Sequence, residues 1–405
     1  MKYIVLLGDG MADYPVPELG GKTPLQAARK PHIDSLAKRG ELGMVKTVPD
    51  GLPPASDVAN LSVMGYDPAA YYTGRSPIEA VSMGIDLAPT DVAFRCNLVS
   101  LSDEGEYVDK VMLDYSSDEI ATSEARILIE EVQRRLGTDE RTFYPGISYR
   151  HCMVWKGGPL GCGLTPPHDI PQRPILGHLP RGEGSEAILG MMRESYEILR
   201  AQPLNAERKA RGELAANSIW LWGQGRKPAI PSFAERHRLR GSVISAVDLV
   251  KGLGICAGMR SIDVEGATGT IDTNFAGKAE AAIRELESGQ DFVYIHIEAP
   301  DECGHHHEIE EKVRAIELID ERVVGTLLDG LVGLGAYRIL VLPDHPTPLS
   351  LRTHTAEPVP FLIYEKGKER ESGFSRYDEI EAKKSGLFVG RGHELMDRFL
   401  GQGGA

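Results

Sequence analysis

No apolar run in this sequence approaches the roughly 18 residues that a membrane-spanning helix needs, so no transmembrane segment is expected. Cysteine is scarce as well: Cys96, Cys152, Cys162, Cys256 and Cys303 are scattered, odd in number and form no CxxC pair. That pattern argues against a disulfide frame or a structural zinc knuckle, and for reduced thiols in a cytoplasmic protein. Positive charge is in deficit, with 45 lysines and arginines against 59 acidic residues and a net charge of −14. Phosphate backbones need a basic surface, so nucleic acid is not an expected partner. A small anionic substrate remains compatible wherever arginines gather locally. No internal repeat or low-complexity tract stands out, and the first residues open on a strand-like run rather than a signal peptide. What is present is ordinary for a soluble globular enzyme, 41% apolar and 26% charged residues. The length suits two domains, or one domain with a large insertion.

The chemistry concentrates in Ala299-Pro300-Asp301-Glu302-Cys303-Gly304-His305-His306-His307. The preceding Phe292-Val293-Tyr294-Ile295-His296-Ile297 is apolar and β-rich, which predicts a buried parallel strand. A carboxylate just beyond it, then a histidine four residues on, would stand at the mouth of an α/β sheet, where such sheets keep their ligand sites. The alternative is Asp301 as the cap of the long helix expected from about 308. Two more apolar runs end the same way. Lys2-Tyr3-Ile4-Val5-Leu6-Leu7 closes on Gly8-Asp9-Gly10, and Arg338-Ile339-Leu340-Val341-Leu342 closes on Pro343-Asp344-His345, with His354 nine residues beyond. A further strand is expected at Pro358-Val359-Pro360-Phe361-Leu362-Ile363-Tyr364, its prolines suggesting an edge position.

Ser56 opens an amphipathic helix whose inward residues are Val58, Leu61, Val63 and Met64. A serine there serves either as an N-cap or as a nucleophile held where helix amides favour a phosphate. Arg75 follows in a loop, and Arg95 alternates with Asn97 along a strand at 91–99. From about 100 to 268 strand and helix signals recur without a βαβ rhythm. Helices are expected at 117–136 and 184–201, and strands at 149–156, 218–223 and 242–247. We therefore expect an α/β fold: a mostly parallel sheet flanked by helices, formed by residues 1–99 and 269–405. A smaller mixed α/β domain is inserted at 100–268.

Parallel strands in one sheet bring their carboxyl ends together, so Asp9, Asp301 and Asp344 should converge with His305, His345 and His354. Three carboxylates and three imidazoles suffice for two divalent ions, and mixed oxygen and nitrogen donors suit manganese or zinc better than magnesium or calcium.

The chain resembles the archaeal-type cofactor-independent phosphoglycerate mutases of the alkaline phosphatase superfamily. The resemblance is carried by Gly8-Asp9-Gly10-Met11-Ala12-Asp13, Ser56-Asp57-Val58-Ala59-Asn60-Leu61-Ser62 and Gly65-Tyr66-Asp67-Pro68. Ala93-Phe94-Arg95, Ser148-Tyr149-Arg150-His151, Pro300-Asp301 with Gly304-His305, Asp344-His345-Pro346-Thr347-Pro348 and Gly392-His393-Glu394-Leu395-Met396 extend it along the chain. The resemblance implies an alkaline-phosphatase-like sheet and a phosphorylated Ser56. It implies one metal (Mn2+ or Zn2+) on Asp301, His305 and His354, and a second on Asp9, Asp344, His345 and the Ser56 oxygen. No 2,3-bisphosphoglycerate would be required. The substrate would be a small phosphorylated anion, gripped by groups of an inserted domain that closes over it. Arg75, Arg95, Arg150 and His151 are the candidates, with His168 and Asp169 behind them. His306 and His307 should face solvent, and Cys303 should serve packing. A homoserine kinase-like phosphotransferase or a phosphomonoesterase on the same site is the alternative, because the metal and serine motifs serve any phosphoryl transfer.

Overall fold

The computed structural model describes residues 1–369 and 371–402. The chain forms two compact units, Met1–Tyr72 with Ile230–Ala405, and Thr73–Ala229.

The first unit is organised on an eight-stranded sheet. Its spatial order is Arg260–Ile262, Gly241–Ile244, Phe292–Ile297, Lys2–Gly8, Tyr337–Leu342, Val359–Glu365, Glu41–Val45, Phe388–Val389. All neighbours are parallel except Val359–Glu365, which runs antiparallel to both strands beside it. The three central strands are almost wholly buried, because helices cover both faces of a parallel sheet and leave no polar alternation. Ile4, Leu6, Val293, Ile295, Ile339 and Val341 pack with Phe275, Ala279, Ile316, Val323 and Leu327 in one core. Register aligns the strand ends: Gly8 lies beside Ile297, and Leu7 beside Leu342. The residues that follow these strands therefore leave from one edge.

Two expectations change here. The proline-bearing strand is interior, not an edge. Pro360 lies opposite Met44, past the last pair with Tyr337–Leu342 (Val341 with Leu362), so its missing N–H interrupts no ladder on that side. The long helix after 308 is broken too. It runs from Ile309 to Leu318, passes through a π turn at Ile319–Val324 and resumes at Gly325–Gly330. Asp320 in that turn is buried and accepts the backbone N–H of Ile33 at 2.7 Å and of His32 at 3.2 Å. It caps the helix Pro31–Ala37, which has no side-chain cap of its own at Lys30.

The second unit holds a five-stranded antiparallel sheet. Asp91–Leu101 pairs with Arg150–Lys156, Ser218–Arg226 and Met112–Asp114, and Arg141–Ile147 pairs with Arg150–Lys156. Helices Thr122–Leu136 and Ser185–Leu199 contribute Leu128, Ile129, Met192 and Leu199 to a core shared with Phe94, Cys96 and Leu98. The division of the chain thus differs from 100–268 at both ends. The strand beginning at Asp91 finds its partners within the second unit, whereas Gly241–Ile244 pairs with Phe292–Ile297 in the first. Local periodicity identifies a strand but not the sheet it joins. Among the described residues no helix is long and apolar enough to cross a membrane.

Candidate active site

Asp9, Asp301 and Asp344 do meet, at the carboxyl edge of the large sheet. Asp301 and His305 lie one helical turn apart on Ala299–His306, whose first turn carries Pro300. Asp301 lies inside this helix, whose cap position is Glu298, and it does not cap the helix from Ile309 either, where Glu308 occupies that position. The Nε2 atoms of His305 and His354 stand 3.2 and 3.3 Å from the Asp301 carboxylate and 2.8 Å from each other. Their Nδ1 atoms face backbone carbonyls, Arg352 O at 3.0 Å and Pro54 O at 3.1 Å. A carbonyl only accepts, so each Nδ1 carries a proton. In the neutral rings two Nε2 lone pairs then point at one another across a carboxylate. Such a pocket calls for a cation. Burial disfavours the Asp301 anion, but where Nε2 carries a proton instead of facing a cation, hydrogen bonds from His305 and His354 outweigh burial and hold its carboxyl well below the usual range. The same hydrogen bond raises His305 to about 9.

The second group is Asp9, Asp344 and His345, all buried. His345 Nε2 lies 3.5 Å from Asp9 Oδ1, 3.4 Å from Asp344 Oδ2 and 3.1 Å from Ser56 Oγ. Asp9 Oδ2 meets His296 Nε2 at 2.9 Å, while Asp9 Oδ1 is buried without a hydrogen-bond partner among the described residues. Burial first, then the charges of Asp344 and Asp301, push the Asp9 carboxyl well above its ordinary value. An orphaned oxygen facing a second carboxylate and an imidazole fits a bound cation, which would reverse that shift. The two groups adjoin: the rings of His345 and His354 are 4.0 Å apart, centroid to centroid.

Ser56 occupies the first turn of Ser56–Val63, where Ala55 is the cap residue and no side chain caps the helix. The serine hydroxyl turns toward His345 instead of the helix amides, so the N-cap alternative does not hold. Asn60, fully buried one turn later, donates to the Ser56 carbonyl at 2.9 Å and to Asp344 Oδ2 at 2.8 Å. Tyr294 in turn donates to Asn60 Oδ1 at 2.7 Å. Sequence reasoning missed Asn60 and His296. The signal for His296 was a single imidazole inside an otherwise apolar strand.

The six expected substrate groups all lie in the second unit, and five of them are brought together. Glu79 accepts from Arg75 Nε at 2.7 Å and pairs with Arg95 Nε at 3.0 Å. The Arg95 guanidinium lies over Trp222 at 4.5 Å, and His168 packs its ring edge on the same indole at 5.1 Å. His168 also contacts Tyr115, which contacts Tyr149, over whose ring Arg150 lies at 4.9 Å. Asp169 stands 3.7 Å from His168. Burial lowers Arg95, with Arg75 and Arg150 adding to the effect against Glu79, so the like charges crowd one surface. His151 does not join them. It lies opposite Cys96 on the core face, while neighbouring Arg150 lies opposite Asn97 on the other. Burial drives His151 to about 3, and it accepts the Gly146 N–H at 3.0 Å. His306 and His307 are exposed, although His307 donates to the Leu349 carbonyl at 2.7 Å. Cys303 is buried with its thiol raised to about 12, as packing requires.

Residues 37–205 match the family model described as 2,3-bisphosphoglycerate-independent phosphoglycerate mutase. A probable 2,3-bisphosphoglycerate-independent phosphoglycerate mutase of Geobacter sulfurreducens is 55% identical over 99% of this chain and 100% of its own. A 2,3-bisphosphoglycerate-independent phosphoglycerate mutase of Methanothrix thermoacetophila is 51% identical over 98% of each chain. A solved Pyrococcus horikoshii structure matches with a TM-score of 0.84 at 30% identity, covering 100% of this chain and 98% of that one. The cofactor-independent phosphoglycerate mutase of Thermoplasma acidophilum matches with a TM-score of 0.68 at 27% identity, covering 100% of both chains. Similarity of that depth over the whole length settles the classification: the chain belongs to the 2,3-bisphosphoglycerate-independent phosphoglycerate mutase family.

Proposed function

We propose that this chain is an isomerase of glycolysis and gluconeogenesis, interconverting 3-phosphoglycerate and 2-phosphoglycerate without 2,3-bisphosphoglycerate. The observation that carries the reading is Ser56. Its hydroxyl is uncommitted to the helix it begins, stands 3.1 Å from His345 Nε2, and adjoins two groups fit for cations. A phosphorylated substrate would meet the positive end of that helix. Ser56 Oγ bonds to phosphorus as the bond from phosphorus to the substrate's 3-oxygen breaks, leaving glycerate and phospho-Ser56. The glycerate 2-hydroxyl then attacks, the Oγ–phosphorus bond breaks, and 2-phosphoglycerate leaves with Ser56 restored. The 3-oxygen gains one proton and the 2-hydroxyl loses one, so no proton is consumed overall. Water in place of the 2-hydroxyl would turn transfer into hydrolysis, so solvent must be excluded while Ser56 carries phosphate.

Asp301, His305 and His354 would hold one divalent cation, and Asp9, Asp344, His345 and the Ser56 oxygen the other. Mixed nitrogen and oxygen donors favour Mn2+ or Zn2+. Such cations supply charge for the phosphoryl oxygens and bring a bound hydroxyl toward ionisation at neutral pH. Arg75, Arg95 and Arg150 are the proposed grip on the substrate's anionic groups, with His168 and Asp169 beside them. The few scattered cysteines, odd in number and without a CxxC pair, support a cytoplasmic setting. The test is a coupled assay for 2-phosphoglycerate on chelator-stripped protein with Mn2+, Zn2+ and Mg2+ restored separately. Recovery with Mn2+ or Zn2+ is expected. Failure with every metal, alongside ATP-dependent phosphorylation of homoserine or release of free phosphate, would transfer the assignment to a kinase or a phosphatase.

A further inference from the structure

The three imidazoles of the paired groups are anchored in two different ways. His305 and His354 place Nδ1 against backbone carbonyls, which belong to neither group. His345 places Nδ1 3.3 Å from a side-chain hydroxyl, Thr347 Oγ1. For His345 Nε2 to offer a lone pair toward Asp9, Asp344 and Ser56, its Nδ1 must carry the proton, and that proton needs an acceptor. Thr347 Oγ1 is the acceptor that the fold supplies. The hydroxyl has one proton of its own, and it donates that proton to Asp301 Oδ1 in the other group. One side chain thus fixes the tautomer of a ligand in one group and one oxygen of a ligand in the next.

Thr347 is held for this task from every side. Its N–H donates to the Ala12 carbonyl at 3.2 Å, and its own carbonyl accepts Lys312 Nζ at 2.7 Å. Lys312 is fully buried and bonded at 2.7 Å to Asp13, whose carboxylate also accepts the Leu349 N–H. A buried ion pair contributes little net stability, and fixing a register is the better-attested use of one. Here it pins the loop after Asp344 to the loop after Asp9. The packing leaves no slack in front. A Cβ at Gly10, which has φ of +61°, would lie 2.6 Å from Thr347 Oγ1 and 2.7 Å from Asp301 Oδ1. A Cβ at Gly304 would lie 2.6 Å from the Thr347 carbonyl oxygen.

We infer that Thr347 is a positioning residue that couples the two cation-binding groups, so that filling one prepares the other. The inference rests on the proposal that both groups bind divalent metal. A cation at the Asp301 group would fix the orientation of that carboxylate, holding Oδ1 where it accepts the Thr347 proton. That leaves an Oγ1 lone pair for His345 Nδ1–H and keeps Nε2 as the ligating nitrogen. The residue touches neither substrate nor cation in this scheme; it acts through His345 and Asp301.

The experiment compares the full-length chain with Thr347→Val, which keeps the shape and removes the hydroxyl, and with Thr347→Ser, which keeps the hydroxyl. Each chelator-stripped protein is titrated with Co2+, and uptake at each group is followed by calorimetry and visible absorption. Thermal melting of the metal-free proteins checks that all three fold. The wild-type chain should take up two ions cooperatively. Thr347→Val should bind each ion about 10-fold to 100-fold more weakly and without cooperativity, the scale of loss seen for partners of metal ligands. Thr347→Ser should restore both. Wild-type affinity at both groups in Thr347→Val, weakening at only one, or no difference between the two variants would overturn the coupling. A wild-type chain that takes up no Co2+ would instead overturn the metal reading, and the coupling with it.

Discussion

The two sheets display their side chains in opposite manners. In the first unit the chemistry leaves the ends of parallel strands, so Asp9, Asp301 and Asp344 each follow an apolar run and gather because the runs are level. In the second unit it stands on the face of an antiparallel sheet, where Arg95 and Arg150 reach one side while Cys96 and His151 reach the other. End-of-strand display tolerates the residues on either side, since a loop can turn them as needed. Face display does not, because a neighbour one position away is directed to the opposite side.

Ser56→Ala should break this comparison most violently. It removes the proposed nucleophile while leaving six acidic and imidazole donors in place. Mutase activity should fall by at least ~1,000-fold, and metal content measured by elemental analysis should change little. Retention of most activity would remove Ser56 from the mechanism. Next in size is the contrast across the second sheet. Arg95→Met should raise KM for phosphoglycerate about 10-fold to 100-fold, the range for losing a charge-assisted hydrogen bond. His151→Gln should leave KM unchanged, since its ring faces the core. Equal effects from the two would mean that the arginine-bearing face is not the one that meets substrate.

The smallest effect is one of pH. His151 titrates near 3 in the folded chain, below its ordinary value of 6.5, because burial disfavours the charged ring. Below 6.5 the unfolded chain binds a proton that the folded chain refuses, so stability contributed by this group is present above 6.5 and is lost as pH falls toward 3. Urea melts at pH 7 and pH 5 should therefore show a smaller drop in His151→Leu than in the wild-type chain. An unchanged drop would assign the acid sensitivity elsewhere.

The same contrast explains what is legible in the amino-acid sequence alone. Asp9, Asp301, His305, Asp344, His345 and His354 were legible because a polar tip on an apolar strand is a local pattern with a long-range consequence. Their supports were not. Asn60, Thr347 and Lys312 act through contacts with residues 284, 46 and 35 positions away, and although the first two lie inside quoted motifs, their residue types alone gave them no role. The arginine surface was legible by residue type, yet His151 was drawn in by its neighbour Arg150. Glu79 and Trp222, which hold Arg95, were passed over. Strand positions near 91 and 241 were found, but their sheets were not, since membership depends on partners far along the chain. The π turn at Ile319–Val324 escaped for a related reason: the apolar stripe continues through it, and only the cap that Asp320 provides to a distant helix gives the interruption a purpose.

The proposed chemistry of the paired groups depends on where cations settle. The direct measurement is an anomalous-difference map from crystals of the full-length chain soaked in Mn2+ after chelator treatment. Two peaks are expected, one among Asp301, His305 and His354 and the other among Asp9, Asp344, His345 and the Ser56 oxygen. Peaks elsewhere, with both groups empty at saturating Mn2+, would contradict it.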